Sequence, residues 1–217
     1  MRLRPRLRAL SCDLGVRSRG CRGWADLYKI KIMTSVELFT DRLWLRPFQL
    51  EDLDELAVLA ANTDVMRFIG TGPESRDQVR SGIDRAIARW REQGMSWWTV
   101  RHRITNEFVG RCCLQRSRDL PEMEMGYAVR SELWRMGYGR EMVARVLQYG
   151  FEVHKCSSII ALTVGNNLAS RALLERCGFS ENEIIRARNK DLTVYRTTQD
   201  AFKAAAAVGS LQQNPRP

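Results

Sequence analysis

The sequence predicts a mixed α+β fold: one domain in which a β-sheet carries helices on both faces. Two observations predict it. Apolar residues recur at helical spacing in separate stretches, and β-rich runs stand between and after them. The run SIIALTV (158–164) is also nearly all apolar, the pattern of a strand covered on both sides.

The elements follow in order. VELFTDRLWLRPF, from residue 36, reads as an edge strand ending at Pro47. Glu51 to Ala61 is helical, with Leu53, Leu56, Ala57 and Ala60 at helix spacing. SRDQVRSGIDRAIARWREQG is the clearest amphipathic helix: Val79, Ile83, Ala86, Ile87 and Trp90 form its apolar stripe, and Gly94 ends it. Three β runs come next, SWWTVRH, FVGRCCLQ and EMEMGYAV, the first two joined by a turn at Arg103–Glu107. A second long helix runs from Gly137 to Val153, with Met142, Val143, Val146, Leu147 and Phe151 along one side. After the apolar strand, Asn167 to Cys177 is a third helix, stopped by Gly178. Two weaker β runs, Ser180–Ala187 and Leu192–Thr198, close a domain spanning 36–200. The tail 201–217 lacks a periodic apolar pattern and is expected to fray.

Composition sets limits on function. Of 217 residues, 44% are hydrophobic and 28% charged, which excludes a low-complexity chain. No apolar run approaches the ~20 residues of a membrane span, so no membrane partner is expected. The net charge is +10, but nine Arg and Lys against Asp13 and Asp26 put most of it in residues 1–32. Residues 1–35 are expected to be a disordered basic extension, and Met33 offers a second plausible start. Alternating Arg2, Arg4, Arg6 and Arg8 around Pro5 do not build the one-sided helix of a transit peptide. The arm also lacks the aromatic interleaving of a nucleic-acid stacking platform. Six cysteines without a C-x-x-C pair, beside only two histidines, read as reduced thiols in a cytoplasmic protein with no metal site.

The chemistry concentrates in EMGYAVRSELWRMGYGREMVARVL (124–147). A strand leads through a short turn to Gly137-Tyr138-Gly139, which opens a helix. Glycines there let a ligand approach closely, and the free N–H groups of a helix start favour an anion such as phosphate. Arg135 and Arg140 flank the turn and would add charge-assisted bonds.

Taken with NNLASRALLERCGF (166–179), the sequence resembles the GNAT superfamily of N-acetyltransferases, in particular its ribosomal-protein N-terminal (Rim-type) branch. The matching pieces are LWLRPFQLEDLDEL, DVMRFIG, EMGY, WRMGYG, and N-x-x-S followed by C-G-F, in family order across about residues 36–199. The resemblance implies the GNAT fold with a mostly antiparallel sheet, and acetyl-CoA as co-substrate. It places the diphosphate turn on Trp134, Arg135, Met136, Gly137, Tyr138 and Gly139, with Trp134 departing from the family's Gln or Arg. It makes Tyr127, Ala128 and Val129 the splayed strand that pairs with the pantetheine arm, and Asn167 a further pantetheine contact. A backbone N–H of that strand becomes the oxyanion donor.

Amide formation needs a base for the attacking amine and an acid for the departing thiolate. The resemblance gives these roles to Glu124, working through water, and to Ser170. The family's alternative acid, a tyrosine, would fall on Leu174 here. The expected reaction is acetyl transfer to a primary amine, on a protein N-terminus or a small molecule, by a monomer or homodimer. The competing reading is a non-catalytic CoA-binding module held to ribosome or RNA by the basic arm. The cluster Glu51, Asp52, Asp54 and Glu55 would suit a cationic acceptor, but reads better as the solvated face of a helix.

Overall fold

The computed structural model describes residues 36–211. The expected basic extension, with Cys12 and Cys21, lies outside the described residues, as does the end of the tail. The strands are β1 (Leu38–Phe39), β2 (Leu43–Pro47), β3 (Trp97–His102), β4 (Phe108–Arg116), β5 (Met123–Val129), β6 (Ile159–Thr163), β7 (Ser180–Ala187) and β8 (Lys190–Thr197). They form one eight-stranded sheet in the order β1-β2-β3-β4-β5-β6-β8-β7. Every pairing is antiparallel except β5 with β6.

Helices cover both faces. On one lie α1 (Leu53–Ala61), α2 (Thr63–Met66) and α3 (Arg76–Gln93). Leu56, Leu59, Val79 and Ile83 pack there with Phe48 and Phe108. Helix α3 starts where Ser75 and Gln78 cap each other reciprocally, and stops at Gly94, whose φ of 67° only glycine adopts freely. The opposite face carries α4 (Tyr138–Glu152) and α5 (Leu168–Arg176). Met142, Val143, Val146 and Leu147 of α4 are fully buried against Leu45, Val100, Leu114 and Ile159. Each such side chain contributes about 1.5–3 kcal/mol by leaving water. Trp98 of β3 is wholly buried edge-on to Trp90 and Tyr149, and its indole N–H donates to the Val36 carbonyl at 2.9 Å.

Two expectations are corrected. The stretch 36–48 is not one strand: a turn at Thr40–Arg42 folds β1 back on β2. The Thr40 hydroxyl accepts the Leu43 N–H at 2.8 Å, an alternative to the ladder that a polar turn residue can offer. The tail does not fray at residue 201, because Gln199–Leu211 forms helix α6. A run of alanines shows no apolar stripe, yet alanine is the best helix former. Phe202 docks on Phe151 with ring centroids 6.1 Å apart, and Ala201 packs so close to Gly178 that a Cβ there would lie 2.6 Å from the Ala201 carbonyl oxygen.

Candidate active site

Strand β5 pairs with β4 along its whole length but with β6 only at Met123 and Glu124. Beyond Glu124 the two strands part. Antiparallel pairs alternate between hydrogen-bonded and non-bonded. Arg130 N–H donates to Val109 O at 3.0 Å, so by register Ala128 bonds to Arg111, while Tyr127 and Val129 turn their backbone groups into the gap. Of the expected trio, then, only Tyr127 and Val129 offer backbone groups there. One of these is already taken: the Trp134 indole N–H donates to Val129 O at 2.8 Å. This gives the departing tryptophan a physical role, in tying the turn to the strand.

The turn itself is left-handed at Arg135 (φ 63°) and Gly137 (φ 83°). Gly137 is the N-cap of α4, and no side chain caps that helix. The N–H groups of Tyr138, Gly139 and Arg140 therefore lack a partner among the described residues, which is the arrangement that attracts an anion. Gly139 has a different reason to be glycine. A Cβ there would lie 2.7 Å from Leu173 Cδ1, so Gly139 lets α4 and α5 close together. Beside the turn is a hollow of about 590 Å³ walled by Arg42, Gly137, Arg140, Glu141, Arg176 and Phe202. Arg140 and Arg176 form no ion pair among the described residues.

Support for the turn comes from far away in sequence. Arg42 Nη1 donates to Met136 O at 3.1 Å, and its Nε donates to Glu141 Oε2 at 2.7 Å. Its guanidinium also lies 4.5 Å from the Tyr138 ring centroid. Burial alone would raise the Glu141 carboxyl, but hydrogen bonds from Thr40 and Arg42 outweigh it and hold it below the usual carboxylate range. Nothing in the sequence pattern links residue 42 to residue 136.

Glu124 is 7% exposed, so it is not a solvated strand carboxylate. Its Oε2 accepts from Ser117 Oγ at 2.8 Å and from Arg188 Nη2 at 2.7 Å, while its Oε1 accepts nothing from the described residues. Arg188 reaches it from the β7–β8 turn, where Arg188 and Asn189 both have positive φ, and also binds Asp119. Ser170 sits in the first turn of α5. Asn167 Oδ1 accepts its N–H at 3.2 Å, so Asn167 caps that helix and keeps only its amide NH2 for a ligand. The Ser170 hydroxyl meets the Tyr127 phenol at 2.9 Å. Burial, opposed by that hydrogen bond, pushes Tyr127 up to about 12, so its proton stays on. Glu124 and Tyr127 stand three residues apart on β5 and thus on opposite faces. A carboxylate flanks the gap on one side and a hydroxyl pair flanks it on the other.

Two further groups are settled by their surroundings. Burial, then the charge of Glu124, pushes Cys113 up to about 12, so this thiol stays protonated and is no nucleophile. The acidic cluster divides: Glu51 and Asp54 are exposed, as a solvated helix face predicts, with Asp54 paired to Arg76, whereas Asp52 is buried and bidentate with Arg46 and the half-buried Glu55 is bidentate with Arg101. Among the described residues no helix is long and apolar enough to cross a membrane.

Comparison with known proteins gives a consistent result. The family model described as an acetyltransferase (GNAT) domain matches residues 42–180. The uncharacterized N-acetyltransferase YoaA of Bacillus subtilis (strain 168) is 32% identical over 154 residues, 69% of this chain and 85% of YoaA. The FsC-acetyl coenzyme A-N(2)-transacetylase of Aspergillus fumigatus is 26% identical over 160 residues, 67% of this chain and 66% of that protein. Among solved structures, an acetyltransferase from Agrobacterium tumefaciens superposes with a TM-score of 0.67 at 25% identity, over 76% of this chain and 95% of that one. A spermidine N-acetyltransferase from Vibrio cholerae, in complex with CoA and spermine, gives 0.64 at 20% identity over 76% and 99%.

Proposed function

The chain belongs to the GNAT acetyltransferase family, and from that premise we propose that it transfers the acetyl group of acetyl-CoA directly to a primary amine. The observation that carries this reading is the parting of β5 from β6 beside an uncapped helix start. The uncapped N–H groups of α4 fit a diphosphate, with Arg140 and Arg176 beside them for further phosphate charge. The Tyr127 and Val129 edge fits the amide-bearing arm, as a strand would pair with it. Acetyl-CoA, when bound, supplies an activated thioester.

The chain's own groups do the rest. Glu124, fixed through Oε2 by Ser117 and Arg188, takes the amine's proton at Oε1, directly or through a water. The Val129 or Tyr127 N–H stabilises the charge that develops on the carbonyl oxygen. The Ser170 hydroxyl, backed by the Tyr127 phenol, hands a proton to the departing sulfur. Direct attack calls for no enzyme nucleophile, and burial holds the neighbouring Cys113 thiol protonated. The reading takes the acceptor to be the amine of a protein N-terminus or a small metabolite, in the manner of the Rim-type branch, with the reaction in the cytoplasm.

The test is thiol release from acetyl-CoA with panels of amines and peptides. Glu124→Gln is expected to lower kcat by roughly 100-fold with the Kd for acetyl-CoA unchanged. Wild-type activity in the variant overturns the assignment of the base.

A further inference from the structure

Arg111 is the exception among the arginines packed near the sheet. Arg46 and Arg101 each form bidentate pairs with carboxylates. Arg111 is 8% exposed, yet its Nε has no hydrogen-bond partner. Its Nη2 reaches only the Met66 sulfur at 3.6 Å, and the nearest carboxylate oxygen, Glu74 Oε2, lies 3.8 Å from Nη1, beyond hydrogen-bond reach. A guanidinium carries five N–H donors, and a buried charge is stable only when oxygen acceptors complete it. Burial lowers its pKa against the charge of Glu74, a further sign of incomplete compensation.

Its position matters as much as its isolation. Arg111 stands opposite Ala128 in the β4–β5 register, on the face that also presents Glu124. Its guanidinium lies 5.2 Å from the ring centroid of Trp97, a residue paired with Cys113, which is in turn paired with Gly126. On that face the row of Trp97, Cys113 and Gly126 stands between Arg111 and Glu124. The segment above it, 67–75, includes Gly70 and Gly72 at positive φ with open space around both, and is tied to the β7–β8 turn by Lys190 Nζ donating to Gly70 O at 2.7 Å.

We propose that Arg111 is the anion subsite of the acceptor pocket and that the acceptor is an amino-acid-like molecule, an amine with a carboxylate on the same short chain. The carboxylate takes two guanidinium N–H groups and supersedes the loose contact with Glu74, leaving the amine directed at Glu124. Diamines and polyamines lack that anion and meet a cation instead. This rests on the acetyl-transfer reading.

The experiment compares amino acids, with amines at α or ω positions, against their carboxamides and their decarboxylated amines, using the full chain at saturating acetyl-CoA. The amino acids are expected to be preferred. Arg111→Gln raises their KM roughly 30-fold or more while leaving the amides within a few-fold. Diamines used as well as amino acids, or a uniform loss across all acceptors in the variant, overturn the proposal. If the variant does not fold, simple carboxylates without an amine serve instead: they compete with the acceptor on the wild-type protein, and a lack of competition refutes the subsite. Absence of acetyl-CoA binding by calorimetry defeats the acetyl-transfer reading and this one with it. Bound acetyl-CoA with no preference for the carboxylate defeats this one alone.

Discussion

Replacing Gly137 by valine separates what the turn does for a ligand from what it does for the fold. Gly137 has φ 83°, a conformation that costs an ordinary L-residue roughly 1–2 kcal/mol and a β-branched one more. The added Cβ would also lie 3.3 Å from Arg42 Nη2, so the guanidinium held by Met136 O and Glu141 must give by a few tenths of an ångström. If the turn keeps its shape, the strain lowers the melting temperature by about 2–8 °C for a domain of this size. If the turn relaxes, the N–H groups at the start of α4 swing off line. Two lost charge-assisted bonds at roughly 1.5–3 kcal/mol each then raise the Kd for acetyl-CoA 100-fold or more. Calorimetric titration with acetyl-CoA, paired with a thermal melt, reads both. A Kd within threefold of wild type in a folded variant refutes the reasoning, since the glycine then serves only the helix start.

Ser170→Ala and Tyr127→Phe are each expected to lower kcat about tenfold with little change in acetyl-CoA affinity, measured by pre-steady-state thiol release. Combining them adds little to the larger single effect, because the two hydroxyls act as one donor. Stability should also depend on pH in a defined window. Burial pushes both Tyr127 and Tyr149 up to about 12 from an ordinary 10.0. The unfolded chain gives up these protons first, and earlier still that of Cys113, pushed up to about 12 from an ordinary 9.0, so stability is full below pH 9 and falls as pH rises toward 12. Melting curves across that range follow it, with Tyr149→Phe flattening the fall; a level profile in the wild type contradicts it.

Much of this was legible in the sequence for local reasons. The stripe on α3, the glycine at 94 and the turn around Gly137 act through neighbours in the chain, so spacing alone reveals them. Strand β5 was found, but the use of its backbone was not fully legible. Which of Tyr127, Ala128 and Val129 face the gap depends on register with β4, and register is a property of two strands. The groups that dress the site come from remote positions: Arg188 reaches Glu124 across 64 residues, and Arg42 reaches Met136 across 94. Neither belongs to a motif. The sequence marks Tyr127 for its main chain, while its phenol meets Ser170 only because α5 folds against the sheet. The helix at 199–211 carries no periodic signal because alanine favours helices without marking a face.

The central claim is that acetyl-CoA lies in the gap between β5 and β6 with its diphosphate on the start of α4. A structure of the complex with CoA tests it most directly. The account predicts phosphate oxygens within hydrogen-bond distance of the N–H groups at 138–140, the pantetheine arm along Tyr127 and Val129, and the sulfur beside Ser170. A cofactor bound elsewhere, or a β5–β6 gap closed by side chains in the complex, would contradict it.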